Sequence, residues 1–389
     1  MPESITKSPD FGAFNIKCKL MLTEDQKTLA NMYFGHCRFV YNEALEYNKA
    51  LYEATGLSDG YNSLAKRLPE LKKVHSFLQD VDATVLQQSL KDYDNARKRF
   101  LQHKGGYPKF RSKDNKQSFR IVNIKNNNSK NSVRFDGNKI KLGKFGWVRT
   151  KPNQPVPECD IQFATVKRLK SGKYELVLTV RRKTPTEKFS LMGAEVGIDL
   201  GLHSFATLSD GIKIPMLDLS KENEQIKKLN RQLSRKQHGS ANRHKIKLQL
   251  ARAYEKKSNK IRDFLHKLSL QIIKNYDFIA TESLNVKSMM MKNFAEFSKI
   301  NNDFHRKIAD CNWSSFLMML KYKSEWYGRK FVQIDTYFPS SQLCSSCHNT
   351  NPLTKDLSIR KWQCPVCGAN HDRYINAAIN VLNQAKLIA

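Results

Sequence analysis

Cys344-Ser345-Ser346-Cys347 and Cys364-Pro365-Val366-Cys367, the second pair running straight into Gly368-Ala369-Asn370-His371-Asp372-Arg373-Tyr374-Ile375-Asn376-Ala377-Ala378, form the stretch around which the chain is read. The spacing is C-x2-C-x16-C-x2-C, two knuckles that place four thiolates at the corners of a tetrahedron roughly 2.3 Å from a zinc ion. Four protein ligands close the shell, so Cys344, Cys347, Cys364 and Cys367 predict a structural Zn²⁺ site that holds a small ribbon. Beyond it, residues 375 to 385 read as an Ala- and Asn-rich helix.

Working outward, 389 residues with 40% hydrophobic content have room for two to four domains with real cores. No apolar run approaches a membrane span, and Lys7, Lys17 and Lys19 sit in a mixed N-terminal stretch unlike an export signal. The expectation is a cytoplasmic protein with no membrane partner. Cys18, Cys37, Cys159 and Cys311 are scattered singly, which reads as reduced thiols. The charge is the strongest bulk signal: 67 Lys and Arg against 36 Asp and Glu leave +31. Such an excess predicts a polyanionic partner, and its interleaving with Phe and Tyr along the chain favours nucleic acid over a membrane surface.

Residues 11 to 22 alternate as a strand, and Thr23 with Gln26 three residues on predicts a capping box opening a helix. That helix breaks at Gly56-Leu57-Ser58-Asp59-Gly60 and the pattern resumes from about Val85 to Leu101, so residues 23 to 103 read as a helical bundle. From Lys91 to Lys130 there are twelve Lys and Arg and three Asp around Gly105-Gly106-Tyr107-Pro108-Lys109-Phe110-Arg111-Ser112-Lys113. This predicts an exposed basic loop whose Tyr107, Phe110 and Phe119 stack on bases while Lys109, Arg111, Lys113 and Arg120 meet phosphates. Strands follow at 132–135, 139–142, 161–168 and 174–180, which with 11–22 could close a barrel that the helices interrupt.

At Glu195-Val196-Gly197-Ile198-Asp199-Leu200 a short apolar strand carries one acid, and Phe278-Ile279-Ala280-Thr281-Glu282 is a second. An acid there is costly without a metal or a partner. Between them, Lys221 to Arg262 holds fourteen basic and three acidic residues on two helical patterns joined at His238-Gly239-Ser240, a basic helical hairpin with Arg231, Arg235 and Lys236 near its tip. Helix continues to Tyr276, another spans Trp313 to Tyr327, and a strand covers Phe331 to Asp335. Strand acid, basic helices, strand acid, ribbon and helix is the order of the ribonuclease H-like fold, where three carboxylates hold two divalent cations about 3.5 to 4 Å apart.

Over nearly its whole length the chain resembles the TnpB proteins of bacterial insertion sequences, compact RNA-guided DNA nucleases. The resemblance is carried by Cys37-Arg38-Phe39-Val40-Tyr41-Asn42, Tyr107-Pro108-Lys109-Phe110-Arg111, Gly197-Ile198-Asp199-Leu200-Gly201, Lys236-Gln237-His238-Gly239-Ser240, Asp263-Phe264-Leu265-His266-Lys267, Thr281-Glu282-Ser283-Leu284, Pro339-Ser340-Ser341-Gln342-Leu343-Cys344, and the ribbon with its tail. It implies an α/β multidomain protein: a wedge-like β-barrel (1–22 and 104–190) with an inserted helical recognition domain (23–103), then a RuvC-like domain (191–342 and 369–389) with a zinc-ribbon insert (343–368). It further implies a guide RNA in a basic channel, a double-stranded DNA target with a short adjacent motif, and a Gln at the position of Gln87 that could hydrogen-bond an adenine edge.

One departure is sharp. The family's third metal ligand is the second Asp of an Asp-Arg-Asp-x-Asn-Ala-Ala run, and here that position is Tyr374. A phenol is neutral, bulky and a poor ligand for a hard cation such as Mg²⁺. Asp199 and Glu282 remain as a pair able to hold one ion, and cleavage is expected to be absent or severely weakened. Rescue by Asp372 would require irregular backbone, because two residues along a helix is about 200° of rotation. The chain is therefore most similar to the nuclease-dead TnpB-like repressors (TldR).

Overall fold

Residues 13–114, 117–124, 131–152, 159–182, 188–285, 301–356 and 358–389 are described in a computed structural model, which divides into two units, Met1–Pro185 and Thr186–Ala389. In the first, β1 (Ala13–Met21) leads into three helices, α1 (Glu24–Thr55), α2 (Tyr61–Val74) and α3 (Ala83–Leu101). Six strands follow: β2 (Gln117–Val122), β3 (Val133–Asp136), β4 (Lys139–Leu142), β5 (Trp147–Pro152), β6 (Cys159–Arg168) and β7 (Tyr174–Arg182). The capping box at Thr23 and Gln26 is present, and Gly56 closes α1 in the left-handed region at φ +72°.

The strands form one antiparallel sheet in the order β2-β6-β7-β1-β5-β4-β3, so the strand before the helices becomes the middle of a sheet completed after them. Alternate residues, among them Ile16, Cys18, Leu20, Leu176, Leu178 and Val180, share one core with Tyr33, Phe34, Cys37 and Val40 of α1 and Val85, Leu86 and Tyr93 of α3. The two edge strands approach each other at one end. The Ser132 amide donates to the Ile124 carbonyl (2.8 Å) and the Val133 amide to Asn123 Oδ1 (2.9 Å), curling the sheet toward a barrel.

Three details differ from the sequence reading. α2 occupies part of the gap predicted between Gly60 and Val85, with Pro69 inside it and Leu64 and Leu68 buried. The end of the basic loop is a strand, β2, in which Gln117, Phe119 and Ile121 face inward. Phe119 is therefore a core residue, 4.7 Å from the Tyr33 ring and 5.6 Å from Phe145, and offers no surface for stacking on a base.

The second unit contains β8 (Glu195–Leu200), β9 (Ala206–Leu208), β10 (Lys213–Ile214), α4 (Ser220–Ser234), α5 (Ala241–Asn275), β11 (Phe278–Glu282), α6 (Asn301–Cys311), α7 (Trp313–Tyr327), β12 (Lys330–Ile334), β13 (Lys361–Gln363), β14 (Asn370–Asp372) and α8 (Arg373–Ile388). Its main sheet has the order β10-β9-β8-β11-β12, with β8, β9 and β10 antiparallel and β11 and β12 parallel to β8. On one face Val196, Ile198 and Ile279 pack with Leu265, Ile272, Phe316 and Leu320; on the other, Ala280 and Ile334 pack with Val381 and Ala385 of α8. Gly197 is needed for that second contact. A Cβ there would lie 1.9 Å from the Ala378 carbonyl oxygen and 2.9 Å from Leu382 Cβ, so α8 rides on the backbone of β8.

The basic hairpin forms as the sequence predicts. Gly239 takes φ +82°, Ser240 caps α5 by accepting from the Arg243 amide (3.1 Å), and Ile226 and Leu229 pack on Ala253.

Candidate active site and metal centre

The ribbon is built from two matching knuckles. The His348 amide donates to the Cys344 carbonyl and the Gly368 amide to the Cys364 carbonyl, while the Cys344 and Cys364 amides donate to the carbonyls of Asn349 and Ala369. The residue after each second cysteine is left-handed, His348 at φ +59° and Gly368 at φ +71°. This geometry brings all four sulfurs within 4.8 Å of one another, with Cys344 to Cys367 and Cys347 to Cys364 both at 3.6 Å. A tetrahedral site with bonds of about 2.3 Å has edges of about 3.8 Å, so the sulfurs fit zinc. His371 Nε2 lies 3.0 Å from Cys344 Sγ and its ring packs 4.7 Å from Trp362, a neighbour positioned to orient that ligand.

Hydrogen bonds join the ribbon to α8. Asn376 donates to the Leu343 carbonyl (2.7 Å) and accepts from the Ser345 amide (2.8 Å); Asn380 donates to the carbonyls of Ser340 (2.8 Å) and Leu343 (2.7 Å). Both asparagines are buried, so each bond is made away from water. Ser340 then donates its hydroxyl to Glu282, which ties the ribbon's entry to a strand acid.

Alternation along the strands sets where the acids point. Gly197 and Ala280 face α8, so Asp199 and Glu282, each two residues further on, face it too. Thr281 is in register with Ile198, which puts the two carboxylates one step beyond on adjacent parallel strands, where neighbours lie about 4.8 Å apart. Burial, with the Glu282 charge beside it, pushes Asp199 up to about 7, and the Arg373 guanidinium pulls the other way. Burial raises Glu282 as well, and the Ser340 hydroxyl partly offsets it.

Asp372 is committed elsewhere. It is the N-cap of α8 in extended conformation (φ −79°, ψ 126°), its Oδ1 accepting from the amides of Tyr374 (3.1 Å) and Ile375 (3.3 Å). Its Oδ2 accepts from Lys213 Nζ at 2.7 Å. Burial would raise this acid, but Lys213 and the two amides outweigh it and hold the carboxyl below its usual range. Arg373, also buried, donates to the Asp356 carbonyl (2.6 Å) and anchors the ribbon's long loop. Tyr374 meets other neighbours: its hydroxyl accepts from Arg360, whose guanidinium lies 5.5 Å from the ring centre, and its ring lies nearly parallel to His203 at 5.9 Å. With a phenol in the third position and Asp372 occupied on both oxygens, these residues do not fit a two-cation site.

The nucleic-acid candidates divide between the two units. Lys109, Lys113 and Tyr107 are exposed on the loop before β2, Tyr107 with its ring edge-on to Phe100 at 5.2 Å. Arg111 is turned inward: its guanidinium covers the Tyr41 ring at 3.8 Å and meets Asp92 at 3.3 Å, while Asn42 brackets its backbone amide and carbonyl. Gln87 is half-buried on α3, and Arg120 lies 5.7 Å from the Phe163 ring on β2. Arg231, Arg235 and Lys236 are exposed near the hairpin tip of the second unit. Sequence reasoning did not single out Ser340, Arg373, Asn376 or Asn380; the first three lie in runs already quoted, whereas Lys213 sits on a two-residue strand that carries no pattern.

Fold and site together define a ribonuclease H-like nuclease domain with a four-cysteine ribbon, joined in one chain to a barrel-like sheet with inserted helices. A family profile described as "Probable transposase" (OrfB_IS605) matches residues 177–293, and one described as "Cas12f1-like, TNB domain" matches 313–381. A third, described as "Helix-turn-helix domain", matches 14–56, where the structure has a strand and one long helix. The chain is 31% identical over 373 residues to a Streptomyces pristinaespiralis protein named "Putative RNA-guided DNA endonuclease", covering 94% of this chain and 88% of the other. It is 30% identical to the Escherichia coli (strain K12) "Putative RNA-guided DNA endonuclease InsQ", covering 90% and 86%. In fold it is similar to the protein solved as a "Cas12f1-sgRNA-target DNA complex", with TM-score 0.58 at 16% identity over 93% of this chain and 83% of that one. The chain belongs to the TnpB family, the OrfB-type proteins of IS605 elements.

Proposed function

We propose that this chain is an RNA-guided, sequence-specific DNA-binding protein that has lost cutting and acts as a transcription repressor. RNA guidance is taken from relatives named as RNA-guided DNA endonucleases and agrees with a net charge of +31. Loss of cutting rests on a single observation: the third ligand position is Tyr374, bonded to Arg360, while Asp372 is spent on Lys213 and the α8 cap. Asp199 and Glu282 then offer oxygens for at most one divalent cation, where in-line phosphodiester cleavage calls for two. A bound protein that does not cut blocks a polymerase. Guide and target contacts are assigned to Gln87, Tyr107, Lys109, Lys113, Arg120, Arg231, Arg235 and Lys236, with Arg111 shaping the loop that presents them.

The purified ribonucleoprotein, mixed with DNA matched to its copurifying RNA and with Mg²⁺, should retard the matched duplex and leave it intact. Efficient double-strand cleavage would refute the reading. An active enzyme that uses Asp372 instead would lose cutting in Asp372→Ala, whereas here that variant loses only stability, through the helix cap, worth about 0.5 to 2 kcal/mol, and the Lys213 ion pair.

A further inference from the structure

Tyr374 does more in this structure than remove a carboxylate. Its ring is part of a small aromatic and cationic surface: the exposed imidazole of His203 lies 5.9 Å away with an interplanar angle of 19°, and the exposed guanidinium of Arg360 lies 5.5 Å from the ring centre while also donating to the phenol oxygen. Three elements converge here. His203 follows β8 four residues after Asp199, Tyr374 opens α8 two residues after Asp372, and Arg360 comes from the ribbon immediately before β13. Tyr374 lies in the first turn of α8, the helix packed on β8 and β11, the strands that carry Asp199 and Glu282.

Flat rings next to a guanidinium are the parts from which unpaired nucleic acid is held without sequence preference. Bases stack on the rings, and the fork of the guanidinium meets the phosphate or stacks in turn. An aspartate at position 374 could accept from Arg360 but would offer no ring to His203 or to a base. We propose that Tyr374, His203 and Arg360 form a stacking platform that holds an unpaired strand over the remnant site with no divalent cation required. This rests on the reading of the chain as a nucleic-acid binder. It adds that the side chain at 374 contributes a ring on which the strand can stack.

The test uses the full chain with its copurified RNA and a fluorescein-labelled single-stranded oligonucleotide containing 5-iodouracil, in buffer without added divalent cation. Ultraviolet crosslinking followed by peptide mapping should place the label on peptides containing Tyr374 or His203. Tyr374→Ala should remove that crosslink and weaken strand binding on the order of fivefold to a hundredfold, the range of one stacked base. Tyr374→Phe, which keeps the ring and loses the hydroxyl, should retain both, whereas a purely structural tie between Arg360 and the phenol would be broken equally by either variant. Crosslinks confined to other peptides, or equal strand binding by wild type and Tyr374→Ala, would overturn the platform. That outcome would leave non-cutting duplex recognition standing, and duplex cleavage by the wild type would sink the latter without touching the crosslink.

Discussion

Two buried positions carry consequences that a side-chain change can expose. At Gly197 the backbone of α8 comes so close that any Cβ must displace the Ala378 carbonyl. Gly197→Ala should therefore cost about 3 kcal/mol, the upper part of the usual range for overpacking, and should appear as a lowered urea midpoint with the slope unchanged. Lys323 is buried, donating to the His266 carbonyl and Ser269 hydroxyl (both 2.7 Å), and burial holds its ammonium down to about 8. The unfolded chain then binds that proton more tightly than the folded one. Stability should rise between about pH 8 and 10 and carry the full penalty below that window. Lys323→Met should flatten this rise in denaturation curves taken across the window; an unchanged slope would show that another group controls it.

At the scale of elements, the ribbon and α8 behave as one piece because Asn376 and Asn380 bond to the chain entering the first knuckle. Asn376→Ala strands the Ser345 amide, while the Leu343 carbonyl keeps its bond from Asn380, and should cost about 1 to 2 kcal/mol. Stripping the metal should likewise raise amide exchange at Ser345 and through the first turn of α8, while the core of α5 stays protected. Exchange confined to the knuckles would show that ribbon and helix are independent. The same elements show what the sequence could disclose. The cysteine spacing, the Thr23 capping box, the Gly239-Ser240 hairpin turn and the strand acids are local signals, each fixed by a few adjacent residues. α2 was hidden by Pro69, which reads as a break although Leu64 and Leu68 on a buried face carry the helix through. β2 was hidden by its Arg120 and flanking lysines, which mask the inward alternation of Gln117, Phe119 and Ile121. The surroundings of Tyr374 were beyond reach because His203 and Arg360 come from distant parts of the chain and meet it only once the sheet, ribbon and α8 are assembled.

For the whole molecule, the proposed function makes one charge at one position the difference between a nuclease and a binder. Basic side chains are exposed in each unit, the ribbon geometry fits zinc, and the two strand acids stand on adjacent strands. On that proposal the missing part is a carboxylate at position 374, in the first turn of α8, and helix N-termini favour that charge, so placing it there should not disturb the fold. The most direct measurement is Mg²⁺-dependent cleavage of guide-matched duplex by the wild-type ribonucleoprotein and by Tyr374→Asp in parallel. The prediction is an intact duplex with the wild type and the appearance of cleaved product with Tyr374→Asp; efficient cutting by the wild type, with Tyr374 in place, would contradict it.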